Sequence, residues 1–166
     1  MQDQSSVTFD TEKFRKALGF FATGVTVVTG VSPKGVPVGV TVNSFASVSL
    51  EPPLVLVCLD KNTGCLEAFC EGERFAVNIL DENQQDLSNM FAGPQEHKFK
   101  DRSYVTWDSE CPILPGCLVN LECHRVDVFE GGDHVILLGR VEQIEYADAG
   151  HPLLYYRSTY GRHGDA

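Results

Sequence analysis

Residues 39–59 read GVTVNSFASVSLEPPLVLVCL, and this stretch decides how the whole fold is interpreted. Between residues 36 and 50 the even positions are mostly valine, alanine or leucine, whereas the odd positions carry small polar groups and one aromatic, Phe45. Alternation with a period of two predicts a β-strand whose even positions face the core. Because fifteen residues exceed the usual length of a strand, a bend is predicted at Asn43-Ser44.

The polar row on this strand has two interpretations. Short hydroxyls and an amide beside a bend suit a flat ligand with polar edges, but the same residues also fit a sheet face in contact with water. After Glu51-Pro52-Pro53, the apolar run at residues 54–59 predicts a second strand that is fully buried.

Composition predicts a single globular domain over residues 1–166. The hydrophobic share of 43% is enough for a substantial core. The net charge of -10 argues against a nucleic-acid partner, which requires a basic surface. No apolar run has the length of a membrane span, and the first residues lack the pattern of a signal peptide. We therefore expect a cytoplasmic protein with no membrane association.

The six cysteines show no CxxC spacing. In a reducing compartment they are expected to be free, mostly buried thiols in preference to disulfides or metal ligands. Cys123 and His124 are adjacent in a predicted strand, so they point to opposite faces and do not share a metal ion. The sequence predicts no metal site.

The rest of the chain alternates short helices with strands. Asp10 is a suitable N-cap for the first of three helical patterns, at residues 10–21, 65–70 and 81–91. Further strand patterns cover residues 25–29, 74–80, 117–128, 133–146 and 152–156. Short turns such as Gly131-Gly132 join neighbouring strands into hairpins. Six or seven strands with three short helices predict a mainly β protein, an antiparallel barrel with peripheral helices.

Three features outside the long strand suggest ligand contacts, and each has a plainer alternative. A helix start after a buried strand, with Asn62 or Thr63 as its N-cap and Lys61 nearby, predicts an anion site, although a plain capped helix shows the same pattern. The cationic residues 97–102 fit an anionic ligand or a solvated loop. His134 follows a double glycine at a strand end, where an imidazole reaches a ligand, although a lone histidine is usually structural.

Five segments in order resemble a known family: TVNSFASVSLEPPLVLVCLDKNT, FAVNIL, FAG with HKF, GDHVILLGRVE and PLLYYRSTYG. Their order and spacing resemble the short-chain flavin reductases that serve two-component monooxygenases, within the FMN-binding split-barrel group. The resemblance covers residues 14–161. It implies a six-stranded Greek-key split β-barrel and a homodimer with flavin near the subunit interface.

The resemblance also implies which residues hold the ligands. The edge of the isoalloxazine ring and the ribityl chain would contact Thr41, Val42, Asn43, Ser44, Phe45 and Ser47. The flavin phosphate and ribityl chain would lie beside Cys58, Leu59, Asp60, Lys61, Asn62 and Thr63. The site would be closed by Phe91, Ala92, Lys98 and Phe99. The nicotinamide would contact His134, and the dinucleotide would lie near Arg157 and Tyr160. Ser158 stands where many members carry glycine.

The resemblance implies an NAD(P)H:flavin oxidoreductase that reduces free FMN or FAD by hydride transfer and supplies reduced flavin to a separate oxygenase. No GxGxxG follows a predicted strand, so NADH or NADPH would not bind a Rossmann unit. The sequence shows no clear 2′-phosphate site, which favours NADH. Because the cofactors carry the chemistry, no acid or base is assigned, and His134 is expected to orient the nicotinamide as a donor.

Two alternatives to a flavin reductase stay open at this point. One is a non-enzymatic flavin-binding protein of the same barrel class that transfers or stores electrons. The other, more remote, is a pyridoxal-phosphate-type oxidase on a related barrel, against which the lack of a strongly basic phosphate pocket counts.

Overall fold

The computed structural model describes residues 9–95, 98–100 and 102–164. Its helices are short: α1 (Thr11–Leu18), α2 (Leu66–Glu71) and α3 (Gln85–Ala92). Its strands are β1 (Thr23–Gly24), β2 (Thr26–Val31), β3 (Pro37–Val42), β4 (Phe45–Leu50), β5 (Pro53–Asp60), β6 (Arg74–Ile79), β7 (Val105–Thr106), β8 (Pro112–Ile113), β9 (Val119–Gly131), β10 (His134–Tyr146), β11 (Leu154–Tyr156) and β12 (Thr159–Gly161). None of the helices in the described part of the chain is long and apolar enough to cross a membrane.

Seven strands form one antiparallel sheet in the order β3-β2-β6-β9-β10-β5-β4. If this sheet were flat, its two edge strands would lie about 29 Å apart, given a strand spacing of about 4.8 Å. Yet β3 and β4 are joined by Asn43 and Ser44 alone, and this link spans at most about 11 Å. The sheet therefore curls into a barrel that is split between β3 and β4, which confirms the predicted mainly β split barrel.

The predicted bend at Asn43-Ser44 is confirmed, because β3 ends at Val42 and β4 begins at Phe45. On β3, Val38 is buried and Val42 packs against the core, as predicted. On β4 the prediction that even positions face the core is wrong. Phe45 packs against the core, whereas the even positions Ala46, Val48 and Leu50 are exposed.

The Asn43-Ser44 corner explains why the core-facing positions of β4 differ from the prediction. The last inward residue of β3 and the first of β4 are three positions apart, an odd step that reverses the alternation. A further register shift between Ser47 and Ser49 adds an irregularity to β4.

Strand β5, which contains the apolar run at residues 54–59, is also less buried than predicted. Val55, Val57 and Leu59 are buried, while the residues between them are only half-buried, so the strand has one core face rather than two. Instead, β2 has five consecutive buried residues, 26–30, and β6 has four, 75–78. The second face of β6 is covered by the segment around β8, where Cys111 and Ile113 pack against Ala76.

The helices begin or end within a few residues of their predicted bounds. Asp10 caps α1, because its Oδ1 accepts a hydrogen bond from the Lys13 amide at 2.9 Å, but none of the α1 residues is buried. The apolar residues of this segment, Phe14, Leu18 and Phe21, are exposed. Helix α3 starts four residues later than predicted and buries Phe91 against the second core cluster, beneath the β11–β12 hairpin.

The β9–β10 hairpin is confirmed, with Gly132 at φ +78° in its turn. A left-handed conformation of this kind is readily adopted by glycine. The hairpin carries His134 at the start of β10, directly opposite Asp60 at the end of β5. These two residues mark one mouth of the barrel, close to the Asn43-Ser44 corner.

Candidate active site

A cleft of about 210 Å³ opens at the split in the barrel. One wall is the end of β3 and the corner, the second is α3, and the third is the β11–β12 hairpin. The lining residues are Val25, Thr41, Val42, Asn43, Ser88, Ala92, Tyr155 and Tyr160. Thus five residues predicted for the site lie together here: Thr41, Val42, Asn43, Ala92 and Tyr160.

The walls of the cleft are held by close packing and buried hydrogen bonds. A Cβ on Gly39 would lie 2.6 Å from the Phe91 ring, so the absence of a side chain lets α3 approach β3. Thr41 Oγ1 donates to the Ser88 carbonyl at 2.7 Å. The Ser88 and Tyr160 hydroxyls are 2.8 Å apart, which joins α3 to β12.

The other corner residues have structural partners. Ser44 Oγ donates to the Cys58 carbonyl at 2.7 Å and accepts from the Cys58 amide at 3.2 Å, so it fastens the corner to β5. Phe45 packs in the core. Ser47 lines a separate apolar groove with Leu50. Of the corner side chains, Asn43 is therefore the one that is both exposed and part of the cleft.

The barrel mouth contains one ion pair and one contact between a histidine and an aspartate. Lys61 Nζ pairs with Glu130 of β9, and His134 Nδ1 lies 2.7 Å from Asp133 Oδ1. The hydrogen bond from His134 lowers the pKa of the Asp133 carboxyl. The structure thus brings His134 next to the Asp60–Lys61 segment, but Lys61 and His134 each already contact a carboxylate.

The predicted anion site at the helix start is not supported in the form proposed. Helix α2 begins at Leu66 with Cys65 as its N-cap, and no side chain caps it, so the predicted cap by Asn62 or Thr63 is wrong. Instead, the Leu66 amide donates to the Thr63 carbonyl at 3.0 Å. Asp60 Oδ1 accepts from the Asn62 amide at 2.7 Å and the Asp60 carbonyl accepts from the Thr63 amide at 2.9 Å, so residues 60–63 form a compact turn.

The predicted cationic stretch does not form one surface. Lys98 is 4% exposed, and its Nζ donates to the Gly39 carbonyl at 2.8 Å, so it holds the edge of β3. Burial lowers the pKa of this amine. Phe99 packs edge-on against Phe91 at 5.1 Å. Lys100 and Arg102 line a different cavity, and His97 and Asp101 lie outside the described residues.

Arg157 is placed away from the cleft. Its guanidinium lies 4.8 Å from the centre of the Phe20 ring, and its amide donates to the Gly19 carbonyl, so it packs on the segment after α1. Arg157 and Ser158 form the β11–β12 turn with φ of 49° and 63°. Glycine adopts this left-handed region without strain, which gives a physical reason for the glycine that many members carry at position 158.

Three residues of the cleft were missed from the sequence: Val25, Ser88 and Tyr155. Tyr155 pairs with Tyr160 across the hairpin, with ring centres 5.3 Å apart. Two tyrosines on either side of a tight turn were an available signal. Ser88 had none, because a serine within a helical pattern is uninformative until its partners are known.

The cysteines are not poised for chemistry. All six are free thiols, at positions 58, 65, 70, 111, 117 and 123. Burial raises the pKa of Cys117 to about 11 and that of Cys123 to about 12, so neither forms a reactive thiolate near neutral pH. Among the described residues, no three or more metal-ligating side chains come together.

Comparison with known proteins identifies the family. The family model described as a flavin reductase like domain matches residues 18–164. The reductase subunit Stc3 of the stachydrine N-demethylase of Rhizobium meliloti is 46% identical over 80% of this chain and 58% of its own. The FMN reductase (NADH) SmoA of Agrobacterium fabrum is 42% identical over 92% of this chain and 86% of its own. This chain spans 44% and 58% of two Rhizobium meliloti relatives, about half their length.

A solved structure shares both sequence and fold with this chain. The NADH:FAD oxidoreductase SgcE6 of Streptomyces globisporus, in complex with NAD and FAD fragments, is 35% identical with a TM-score of 0.88, and the match covers 93% of each chain. This match and the family model indicate the same family. The chain belongs to the flavin reductase-like family.

Proposed function

We propose that the protein is an NADH-dependent flavin reductase that reduces FMN or FAD and releases the reduced flavin to a separate monooxygenase. The observation that carries this proposal is the cleft at the barrel split, where the Thr41–Asn43 backbone meets the Tyr160 ring in a chain of this family. The names of the relatives support the reductase over a protein that only stores electrons, since Stc3 and SmoA are both described as reductases.

The residues of the cleft fit a flavin ring. Val25, Val42 and the rings of Tyr155 and Tyr160 provide flat apolar surfaces, and the Asn43 amide provides a polar group at the corner. Ligand pockets usually measure about 300–1,000 Å³, so a cleft of about 210 Å³ accommodates only part of such a ligand. The rest of the flavin would extend along the turn at residues 58–63 toward the mouth.

The chain contributes binding and orientation rather than an acid or a base. A bound flavin supplies a hydride acceptor and a nicotinamide the donor. The hydrogen bonds through Ser88 hold the walls of the cleft together, so these walls would position the part of the flavin that the cleft accommodates. His134 is held by Asp133 through Nδ1, which leaves Nε2 free to contact and orient the nicotinamide.

Two further proposals concern the donor and the partner. NADH is proposed as the donor because SmoA is named for NADH and the SgcE6 structure holds NAD and FAD fragments. A separate oxygenase is proposed as the acceptor of reduced flavin because Stc3 is named as a reductase subunit. We also propose that residues 1–166 act as one domain in a reducing cytoplasm, which the six free thiols support.

A homodimer is proposed from the outer face of β4. Val48, Leu50 and Ile144 are 48%, 93% and 57% exposed. Leu50 and Ile144 line an apolar groove beside β4, which is an edge strand of the sheet. A second copy would cover this surface and the open edge together. Sedimentation should show a dimer that Leu50→Glu converts to a monomer, while a wild-type monomer at micromolar concentration would contradict the proposal.

Activity is tested with the purified protein and four pairings, FMN or FAD with NADH or NADPH. Oxidation of the nicotinamide should be much faster than in the protein-free mixture, and fastest with NADH. Absence of acceleration in all four pairings would overturn the proposal. Flavin that stays bound through gel filtration without any nicotinamide oxidation would identify a storage protein instead.

A further inference from the structure

The cation nearest the proposed phosphate position already has a partner within the chain. Lys61 Nζ forms an ion pair with Glu130, and these side chains are 40% and 80% exposed. Both residues lie at the mouth where β5 and the β9–β10 hairpin end. No sequence pattern pointed to Glu130, because it is 69 residues from Lys61 in the chain.

We propose that Glu130 is a specificity-determining residue that weakens the binding of phosphorylated flavins by competing with the phosphate for Lys61. This inference rests on the proposed function. A phosphate monoester carries about −1.5 to −2 charges at neutral pH, so it and the Glu130 carboxylate seek the same ammonium group. Binding of the phosphate must therefore displace or share the Glu130 contact.

The backbone places Glu130 at this position. The Lys61 amide donates to the Asp133 carbonyl at 3.0 Å, which ties the turn after β5 to the hairpin. Glu130 pairs in register with Val135, and the neighbouring pair is Gly131 with His134. The carboxylate thus belongs to the same rigid hairpin that carries His134, and it does not depend on a loose loop to reach Lys61.

The strength of the pair suits a ligand that must leave. Exposed ion pairs are weak, so Glu130 reduces phosphate affinity without preventing binding. The chain has a net charge of -10, so once Glu130 neutralises Lys61 the mouth attracts a phosphate dianion only weakly. A reductase that passes reduced flavin to another protein requires release, and Glu130 promotes that release.

The test compares FMN with riboflavin, which has the same ring and ribityl chain but no phosphate. We expect Glu130→Gln to tighten FMN binding about two- to fivefold, the range set by exposed ion pairs, and to leave riboflavin binding unchanged. Asp127→Asn is the matched control, because it removes one exposed negative charge from the same strand without a lysine partner among the described residues. The gain with FMN should shrink at high salt.

A second comparison tests the role of Lys61. In a Lys61→Gln background, Glu130→Gln should no longer change FMN affinity. Three results would overturn the inference: unchanged or weaker FMN binding by Glu130→Gln, an equal gain for FMN and riboflavin, or an equal gain from Asp127→Asn. If both flavins bind and their affinity ratio does not move, the inference alone fails; if neither flavin binds the unaltered protein, the proposed function fails as well.

Discussion

The wall of the cleft and the mouth of the barrel are built from different interactions. The wall, where β3 meets α3, depends on the close approach of Gly39 to Phe91 and on hydrogen bonds made by Ser88, which is fully buried. The mouth depends on the exposed ion pair of Lys61 with Glu130 and on the exposed hydrogen bond between His134 and Asp133. Buried contacts are costly to break, whereas exposed ion pairs contribute little and are screened by salt.

Because of this difference, the wall and the mouth should have different roles in the site. The wall fixes the separation and angle of the surfaces that hold a ring, so its residues should affect stability and ring binding together. The mouth carries charges that rearrange at small cost, so its residues should affect affinity and rate with little effect on stability. Substitutions in the two regions should therefore separate folding from function.

The largest effect is expected at the wall from Gly39→Val. A Cβ at this position would lie 2.6 Å and 2.8 Å from two atoms of the Phe91 ring, and the branched side chain adds further atoms. Overpacking of a close contact costs about 1–3 kcal/mol, and we expect the upper end of that range. The free energy of unfolding in urea measures this loss.

The matched control for this prediction is Ala46→Val. It introduces the same side chain on β4, where position 46 is exposed, and should change stability by less than about 0.5 kcal/mol. Equal losses from the two variants would remove the distinction between a packed wall and an open strand.

The next effect is expected from Ser88→Ala. This change removes the hydrogen bond to Tyr160 while the Ser88 carbonyl still accepts from Thr41. One lost hydrogen bond costs about 1 kcal/mol, and flavin binding should weaken because the Tyr160 ring is no longer fixed. Tyr160→Phe removes the same bond, so the double variant should lose little more than either single one. Additive losses in titration and urea unfolding would show that the two hydroxyls act separately.

The residues at the wall also show which features of the fold can be predicted from the sequence. Alternation predicted the strands, and the fifteen-residue length predicted the corner at Asn43-Ser44, because both depend on local geometry. The face of the strand that packs on the core was predicted correctly for β3 but not for β4. An odd number of residues through the corner reverses the alternation, and no local signal reports that number.

The candidate site was predicted where it follows the backbone and missed where it depends on contacts between distant segments. Thr41 to Asn43 lie in the cleft because the corner itself forms it. Lys98 belongs to a cationic stretch for which the sequence predicts an anionic ligand or a solvated loop, but its side chain is buried and its amine reaches the Gly39 carbonyl 59 positions away. Charge patterns in a sequence predict which residues are cationic, whereas their partners, such as Glu130 for Lys61, depend on the tertiary structure.

A subtler effect of the wall is expected in the pH dependence of stability. Desolvation lowers the pKa of Lys98 in the folded protein, with a smaller opposite contribution from Cys65, whereas an unfolded lysine titrates near about 10.4. Between these two values the unfolded chain binds more protons, so the free energy of unfolding contributed by Lys98 rises with pH. The difference in stability between wild type and Lys98→Met should therefore shift in favour of wild type as pH increases from 7 toward that value. A constant difference across urea titrations in this window would show that the amine is not desolvated.

The smallest effect on stability, and the clearest effect on rate, is expected at the mouth from His134→Ala. His134 contacts Asp133 through an exposed hydrogen bond, so its removal should change the free energy of unfolding by less than about 0.5 kcal/mol. If His134 orients the nicotinamide, hydride transfer in an anaerobic stopped-flow measurement should slow about tenfold or more, because misalignment of reacting groups costs rate. The dissociation constant for flavin should change far less, since the flavin ring is proposed to contact the wall. Asp133→Asn is the companion variant, because it keeps a hydrogen-bond acceptor beside Nδ1 and should retain most of the rate. A His134→Ala protein that weakens flavin binding more than it slows transfer would place the imidazole with the wall instead of the mouth, and the division between the two regions would fail.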